Sequence, residues 1–472
     1  MNKEDIPFLS TADLGTAIRN RDVSPVEVAE SYIERIDLLD SKLNSYITVC
    51  RDDALRDAAA AEHEIARGGY RGSMHGIPIA IKDQIWTKGI RTTVGSRLLS
   101  DFVPDEDATV VTKLREAGAI LLGKLNMSEF ACGPTHDQPF GQPRNPWNLD
   151  RSPGGSSSGS GSATAAFLCS TSLGEDTGGS VRGPATSCGL VGLRPTHGRV
   201  SRYGVFGCSW SMDIIGPISR TVTDCAITLE AIAGNDPRDV YTWDVPVPAY
   251  ESLLDGDIKG IKVGVLNDRI HSEIVDSDVK RAVIDAVDVL DALEVQMEEM
   301  SLPLTVYSGI SFATLWAPEA ASLYQKYIAK ELDKYDYNTQ VQLLVGALIP
   351  NQAYLKAQKL RDLIRQQILE ALTKVDVLVL PTAPGPANNI PQEHALVTPK
   401  EEVKKSYFGR REFTNPFNLA NVPAISVPCG FTRDGLPIGL QVVGRPFDEG
   451  LVFKVAHAYE QSAGWYKMRP PI

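Results

Sequence analysis

Lys82 closes the apolar run Gly76-Ile-Pro-Ile-Ala-Ile-Lys-Asp83, and a charged amine is costly to place at the end of a buried strand. Two outcomes relieve that cost. The side chain reaches water or pairs with Asp83, or it sheds its proton and becomes a base. Lowering a lysine pKa from about 10.4 to near 7–8 costs roughly 4 kcal/mol, which burial can impose.

Two serine-rich segments offer hydroxyls for such a base. The stretch Ser152-Pro-Gly-Gly-Ser-Ser-Ser-Gly-Ser-Gly-Ser162 has the composition of a linker, but it leads into the small, apolar run Ala163–Leu173 and so sits beside buried structure. The stretch Gly174-Glu-Asp-Thr-Gly-Gly-Ser-Val-Arg-Gly-Pro184 places Ser180 directly after two glycines. Adjacent glycines let the backbone turn sharply and approach a ligand closely. A helix starting there would aim backbone N–H groups at whatever Ser180 attacks and would favour negative charge. A glycine turn with Ser180 as an N-cap accounts for the same residues. On these residues alone the two readings stand level.

Together the three segments resemble the amidase signature family, which couples a strand-end lysine to a Gly-Gly-Ser-Ser segment and then to a Gly-Gly-Ser segment. Ser156 and Ser180 stand 24 residues apart, the family's spacing. The run Cys188-Gly-Leu-Val-Gly-Leu-Arg-Pro-Thr-His-Gly-Arg-Val-Ser201 resembles the family's continuation, and weaker likeness extends from about Leu9 to Gly444. The resemblance implies Ser180 as nucleophile, Ser156 as proton relay after a cis bond from Gly155, and Lys82 as base. It implies oxyanion donors at the backbone N–H groups of Thr177, Gly178, Gly179 and Ser180, a pocket wall at Phe130, and a buried ionic scaffold of Asp176 and Arg182. The expected reaction is hydrolysis of the C–N bond of an acyl amide, an anilide or a carbamate (urethane) through a Ser180 acyl-enzyme, with no cofactor and no metal.

Within the family a second reading is the glutaminase subunit of a glutamyl-tRNA amidotransferase-like complex. Leu355–Arg361 and Asn418–Pro423 resemble that subunit, and Arg361 falls where it helps to bind the glutamine carboxylate. Its acidic residue for the substrate ammonium is replaced by Arg411, next to Arg410. Two arginines repel an ammonium, which favours the self-contained hydrolase. Phe312, Leu315 and Trp316 are expected over the site, favouring apolar or aryl groups.

Rival chemistries have thinner support. Gly155-Ser-Ser-Ser-Gly159 fits the G-x-S-x-G pattern of an α/β-hydrolase esterase, with Ser157 as nucleophile and His271, His394 or His457 as partner. A glycine-serine run produces that match easily. His63, His75, His136 and His197 show no metal-ligand spacing. A non-catalytic binding protein would be attractive only if a triad position were substituted.

The elements that must position these groups read as α/β. Ser24-Pro25-Val26-Glu27 carries an N-cap, a first-turn proline and a capping-box glutamate. A second helix is expected over about Val279 to Leu293. Ile77–Ile81, Ala119–Leu122, Val263–Leu266, Val377–Leu380, Ala424–Val427 and Leu440–Val443 read as strands. Several are near-continuous apolar runs, as when both faces are covered. The expectation is a large mixed β-sheet flanked by helices on both faces. One domain over residues 1–472 is expected, with a helical N-terminal segment over about 1–70 and a helical cap over about 302–374.

A net charge of −12 disfavours nucleic acid and anionic membranes as partners. No signal peptide or transmembrane run is visible, and the seven scattered cysteines suit a reduced, cytoplasmic setting. The oligomeric state is open, a homodimer included.

Overall fold

The computed structural model describes the chain except Met1, Pro134, His136 and residues 391–399, and except the side chains of Tyr327, Ile328, Glu402 and residues 405–407. His136 and His394, named above, therefore lie outside the described residues. Eleven strands form one sheet: β1 (Tyr46–Val49), β2 (Pro78–Lys82), β3 (Ile120–Leu125), β4 (Thr171–Glu175), β5 (Val191–Arg194), β6 (Ile215–Ser219), β7 (Lys262–Leu266), β8 (Gln296–Met300), β9 (Val377–Pro381), β10 (Ala424–Phe431) and β11 (Pro437–Val443). Their order is β1-β3-β2-β4-β6-β5-β10-β11-β9-β7-β8. The sheet is mixed, as expected. β2 runs parallel to β3 and β4, and β7 runs parallel to β8 and β9, while β4–β6–β5–β10–β11–β9 is antiparallel throughout.

The apolar runs became strands because both faces are covered. Every residue of β2, β3, β4, β5, β6, β9 and β11 is buried. Edge strand β8 is part-exposed and reads Gln-Met-Glu-Glu-Met, too polar to stand out in the sequence. The N-terminal segment holds helices Thr11–Asn20, Pro25–Leu43 and Arg51–Ala66, and also strand β1, which was not expected. The capping box at Ser24 and Glu27 is formed in both directions. Helix Ser277–Ala292 buries Val279, Ala282, Val283, Ala286 and Leu290. Beyond β8 come three long helices, Ser308–Glu331, Tyr337–Leu348 and Asn351–Ala371. Among the described residues no helix is long and apolar enough to cross a membrane. All seven cysteines are buried and free.

Candidate active site

β2 delivers Lys82 to the end of the sheet, where the side chain is fully buried. Its Nζ lies 2.7 Å from Ser156 Oγ and 3.2 Å from Glu175 Oε2. Burial pushes the amine below its ordinary range, and the Glu175 charge opposes that push. The peptide bond between Gly155 and Ser156 is cis. The Ser156 carbonyl accepts from the Ser128 N–H at 3.1 Å, which ties the serine segment to the chain after β3.

Ser180 stands in the turn from β4 into helix Arg182–Cys188. Gly179 has φ +114°, in the region that favours glycine, so the turn needs a glycine immediately before Ser180. Ser156, Ser180, Thr177, Gly178 and Gly179 line one cavity of about 460 Å³. The four backbone donors are not equivalent. The Gly179 N–H donates to Asp176 Oδ1 at 2.8 Å and is already committed, which leaves Thr177, Gly178 and Ser180 as the candidate oxyanion donors. The carboxylate needs that donor because Asp176 is fully buried.

Asp176 and Arg182 sit together beneath the turn. Burial alone would raise the Asp176 carboxyl, but the guanidinium groups of Arg182 and Arg194 hold it well below the usual carboxylate range. Asn418 Nδ2 donates to Asp176 Oδ1 at 2.7 Å, and Arg182 donates to Asn418 Oδ1 and Gln441 Oε1 at 2.6 and 2.7 Å. The sequence reading missed Arg194, Asn418 and Gln441. Asn418 lies in a segment already singled out for resemblance, but nothing in its spacing shows that it reaches back 242 residues.

Several expected site residues lie elsewhere. Phe130 does not line the cavity. It and Ala131 have φ +48° and +58°, a backbone conformation uncommon for residues other than glycine. Ser128, Ala131 and Cys132 face the cavity, while the Phe130 ring packs 4.5 Å from Tyr324 and 5.4 Å from Tyr335. Phe312 and Trp316 line the cavity, but Leu315 is buried in the core behind them. Arg361 is also away from it. Its guanidinium is spent on the carbonyls of Leu419 and Ser211, at 2.9 and 3.0 Å. Ser157 is fully buried, and its Oγ bonds to the Glu175 backbone, so it is not a presented nucleophile. This removes the structural basis for an esterase acting through Ser157.

Arg410 and Arg411 do line the cavity, and no aspartate or glutamate lines it among the described residues. Arg410 donates to Asn388 Oδ1 at 2.7 Å, and burial together with the Arg411 charge lowers its proton affinity. The Arg411 guanidinium lies 5.6 Å from the Phe312 ring centre.

Comparison with known proteins follows the same lines. A family model described as amidase matches residues 27–453. The A-type subunit of the glutamyl-tRNA(Gln) amidotransferase from Geobacter metallireducens is 42% identical over 98% of this chain and 99% of its own length. A structure solved in work on a vestigial protein complex and the evolutionary origins of an s-triazine catabolic enzyme superposes with a TM-score of 0.90 at 29% identity, covering 98% of this chain and 100% of that one. Native peptide amidase from Stenotrophomonas maltophilia superposes with a TM-score of 0.83 at 31% identity, covering 98% of both chains. With its mixed sheet and its lysine and paired serine segments, the chain belongs to the amidase signature family.

Proposed function

We propose that the protein hydrolyses the C–N bond of a small amide or carbamate, with Ser180 as nucleophile, Ser156 as relay and Lys82 as base. The observation that carries this reading is the 2.7 Å contact between Lys82 Nζ and Ser156 Oγ, beside a cavity that Ser180 also lines. A neutral Lys82 accepts the Ser156 proton while Ser156 accepts that of Ser180. The Ser180 oxygen adds to the carbonyl, and the backbone donors at Thr177, Gly178 and Ser180 hold the oxyanion. Ser156 then protonates the departing nitrogen, and water returns by the same relay to release the acyl group. The long helices after β8 act as a cap, with Phe312 and Trp316 presenting apolar surface to the substrate.

Two substrate readings differ over charge. Overall similarity favours the glutaminase reading, since the 42% identity to an amidotransferase subunit runs the length of the chain. On that reading the protein works with partner subunits. The cavity favours a self-contained hydrolase. Arg410 and Arg411 face it and no described carboxylate does, so the ammonium of glutamine has no acidic partner among the described residues, while Arg361, expected to hold its carboxylate, is engaged by the Leu419 and Ser211 carbonyls.

The purified chain is to be assayed against glutamine, an aryl anilide and an aryl carbamate, with Ser180→Ala as control. Arylamine release that disappears in the variant supports the self-contained hydrolase. Glutamine turnover without arylamine release sinks it in favour of the amidotransferase reading. Arg411→Asp extends the test: on the charge argument it raises kcat/KM for glutamine relative to the neutral substrates.

A further inference from the structure

Lys82 has a second partner that the relay does not use. Glu175 Oε2 lies 3.2 Å from its Nζ, and both side chains are buried. The sheet brings them together: β2 and β4 are parallel neighbours with Ile81 opposite Leu173, so Lys82 and Glu175 emerge at the same end.

The other Glu175 oxygen, Oε1, receives the Thr177 hydroxyl at 2.6 Å, and Asp213 Oδ1 lies 2.8 Å from that same hydroxyl. A hydroxyl carries one proton and donates to one acceptor at a time. Two ionised carboxylates would therefore leave one oxygen facing lone pairs at hydrogen-bond distance, so one carboxyl must hold a proton of its own. Asp213 is the carboxyl whose proton affinity burial raises. Its Oδ2 already accepts from the N–H groups of Cys208 and Ser209 at 2.7 and 2.8 Å, which leaves Oδ1 to carry the proton. Burial, with Glu175 nearby, pushes its pKa up to about 8. The proton on Asp213 then points to Thr177, Thr177 points to Glu175, and the Glu175 charge faces Lys82.

We propose that Glu175 is a positioning residue for Lys82: it holds the amine against Ser156 and sets the pH below which the base is lost. The inference rests on the reading of Lys82 as base. An anion beside an amine favours the ammonium form, so removing the Glu175 charge lowers the proton affinity of Lys82. The other charged or titratable groups around the pair are Asp213 and Cys208 before β6, Arg202 in the turn before them, Arg194 on β5 and Asp176 beside Glu175. Glu175 and Asp213 also line a second cavity of about 330 Å³, rimmed by exposed Trp210 and Tyr241, that shares no lining residue with the first. Water there can equilibrate the cluster while substrate fills the first cavity.

The test is the pH profile of kcat/KM, with the pH dependence of Ser180 labelling by a fluorophosphonate probe as a second readout. In Glu175→Gln the acid limb moves to lower pH by about one unit or more. In Glu175→Asp, which keeps the charge but draws it back, the limb stays near its original position while the plateau rate falls. An unmoved limb in Glu175→Gln overturns the proposal, whatever happens to the rate, because a merely structural role lowers activity without shifting the profile. Should Glu175→Gln fail to fold, Thr177→Val is compared with Thr177→Ser. The limb moves down only in the valine variant, and identical limbs overturn the proposal. If the unaltered protein is not labelled at Ser180 at any pH, the base reading itself fails. Normal labelling with an unmoved Glu175→Gln limb defeats this inference alone.

Discussion

Arg182 grips Asp176 with two nitrogens, Nε to Oδ2 and Nη2 to Oδ1, both at 3.1 Å, and neither side chain is exposed. This bidentate pair supports the turn that carries Ser180, and Arg194 adds a second buried cation. Asp176→Ala leaves two buried guanidinium groups without their anion. The expected loss is about 3–5 kcal/mol in a urea unfolding curve, and a loss below about 1 kcal/mol would show the scaffold to be dispensable. The acid side follows from the sign of the shift. The folded-state pKa is depressed, so the stabilisation is present above the unfolded value of about 3.9 and is lost as pH falls below it.

Ser180→Ala should abolish both hydrolysis and covalent labelling by a fluorophosphonate. Lys82→Met and Ser156→Ala should each lower kcat by about 10²–10⁴-fold, the usual range for a general base. Because the two act through one contact, the double variant should cost little more than either alone. Multiplying losses would mean that they serve separate steps.

A methyl group on residue 178 would come within 2.5 Å of Phe312 Cζ. Gly178→Ala should therefore displace the ring and lower kcat/KM without unfolding the protein. Adding Phe312→Ala should recover part of that loss, with a coupling of about 0.5–3 kcal/mol in a double-mutant cycle. Strict additivity would place the damage at the oxyanion site instead of the wall.

Glu460 Oε1 accepts from the Val222 N–H at 2.8 Å, and burial pushes its carboxyl up to about 8. The unfolded value is about 4.3. Between these values the folded state holds a proton that the unfolded state has released, so stability falls as pH rises through that window. Glu460→Gln should raise Tm at pH 9 by more than it does at pH 5. An equal change at both pH values would show that the side chain titrates normally.

The parts of the fold legible in the sequence were those with apolar runs or caps, such as β2, β9 and the helix after Ser24. β4 was not legible, although it stands near the middle of the chemistry. Its Thr171 and Ser172 are polar in composition yet fully buried, because they bond to Ser219, Thr228 and Thr164 at 2.7 to 3.0 Å. Hydroxyls satisfied in pairs pack like apolar groups, and no periodicity signals that. The roles expected of Lys82, Ser156 and Ser180 came from a motif. Glu175 could not be valued from its own segment, since its meaning depends on Asp213, 38 positions later in the chain. Phe130 shows the opposite failure: it was expected at the pocket wall, but its ring packs against Tyr324 and only its neighbours Ser128, Ala131 and Cys132 line the cavity.

The sheet is closed from its centre and not from its rim. β10 and β11 separate β5 from β9, yet they are the last two strands of the chain. A chain that folded as it was synthesised would present β5 and β9 as unpaired edges until then, open to pairing with other molecules. A nascent chain halted before Ala424 would hold the whole Lys82–Ser156–Ser180 sequence and still be two unjoined half-sheets. Also missing would be Gln441, which steadies Arg182 beneath the Ser180 turn. The site is thus complete only once the final strands are in place, and a chain folding during synthesis should depend on chaperone shielding until then.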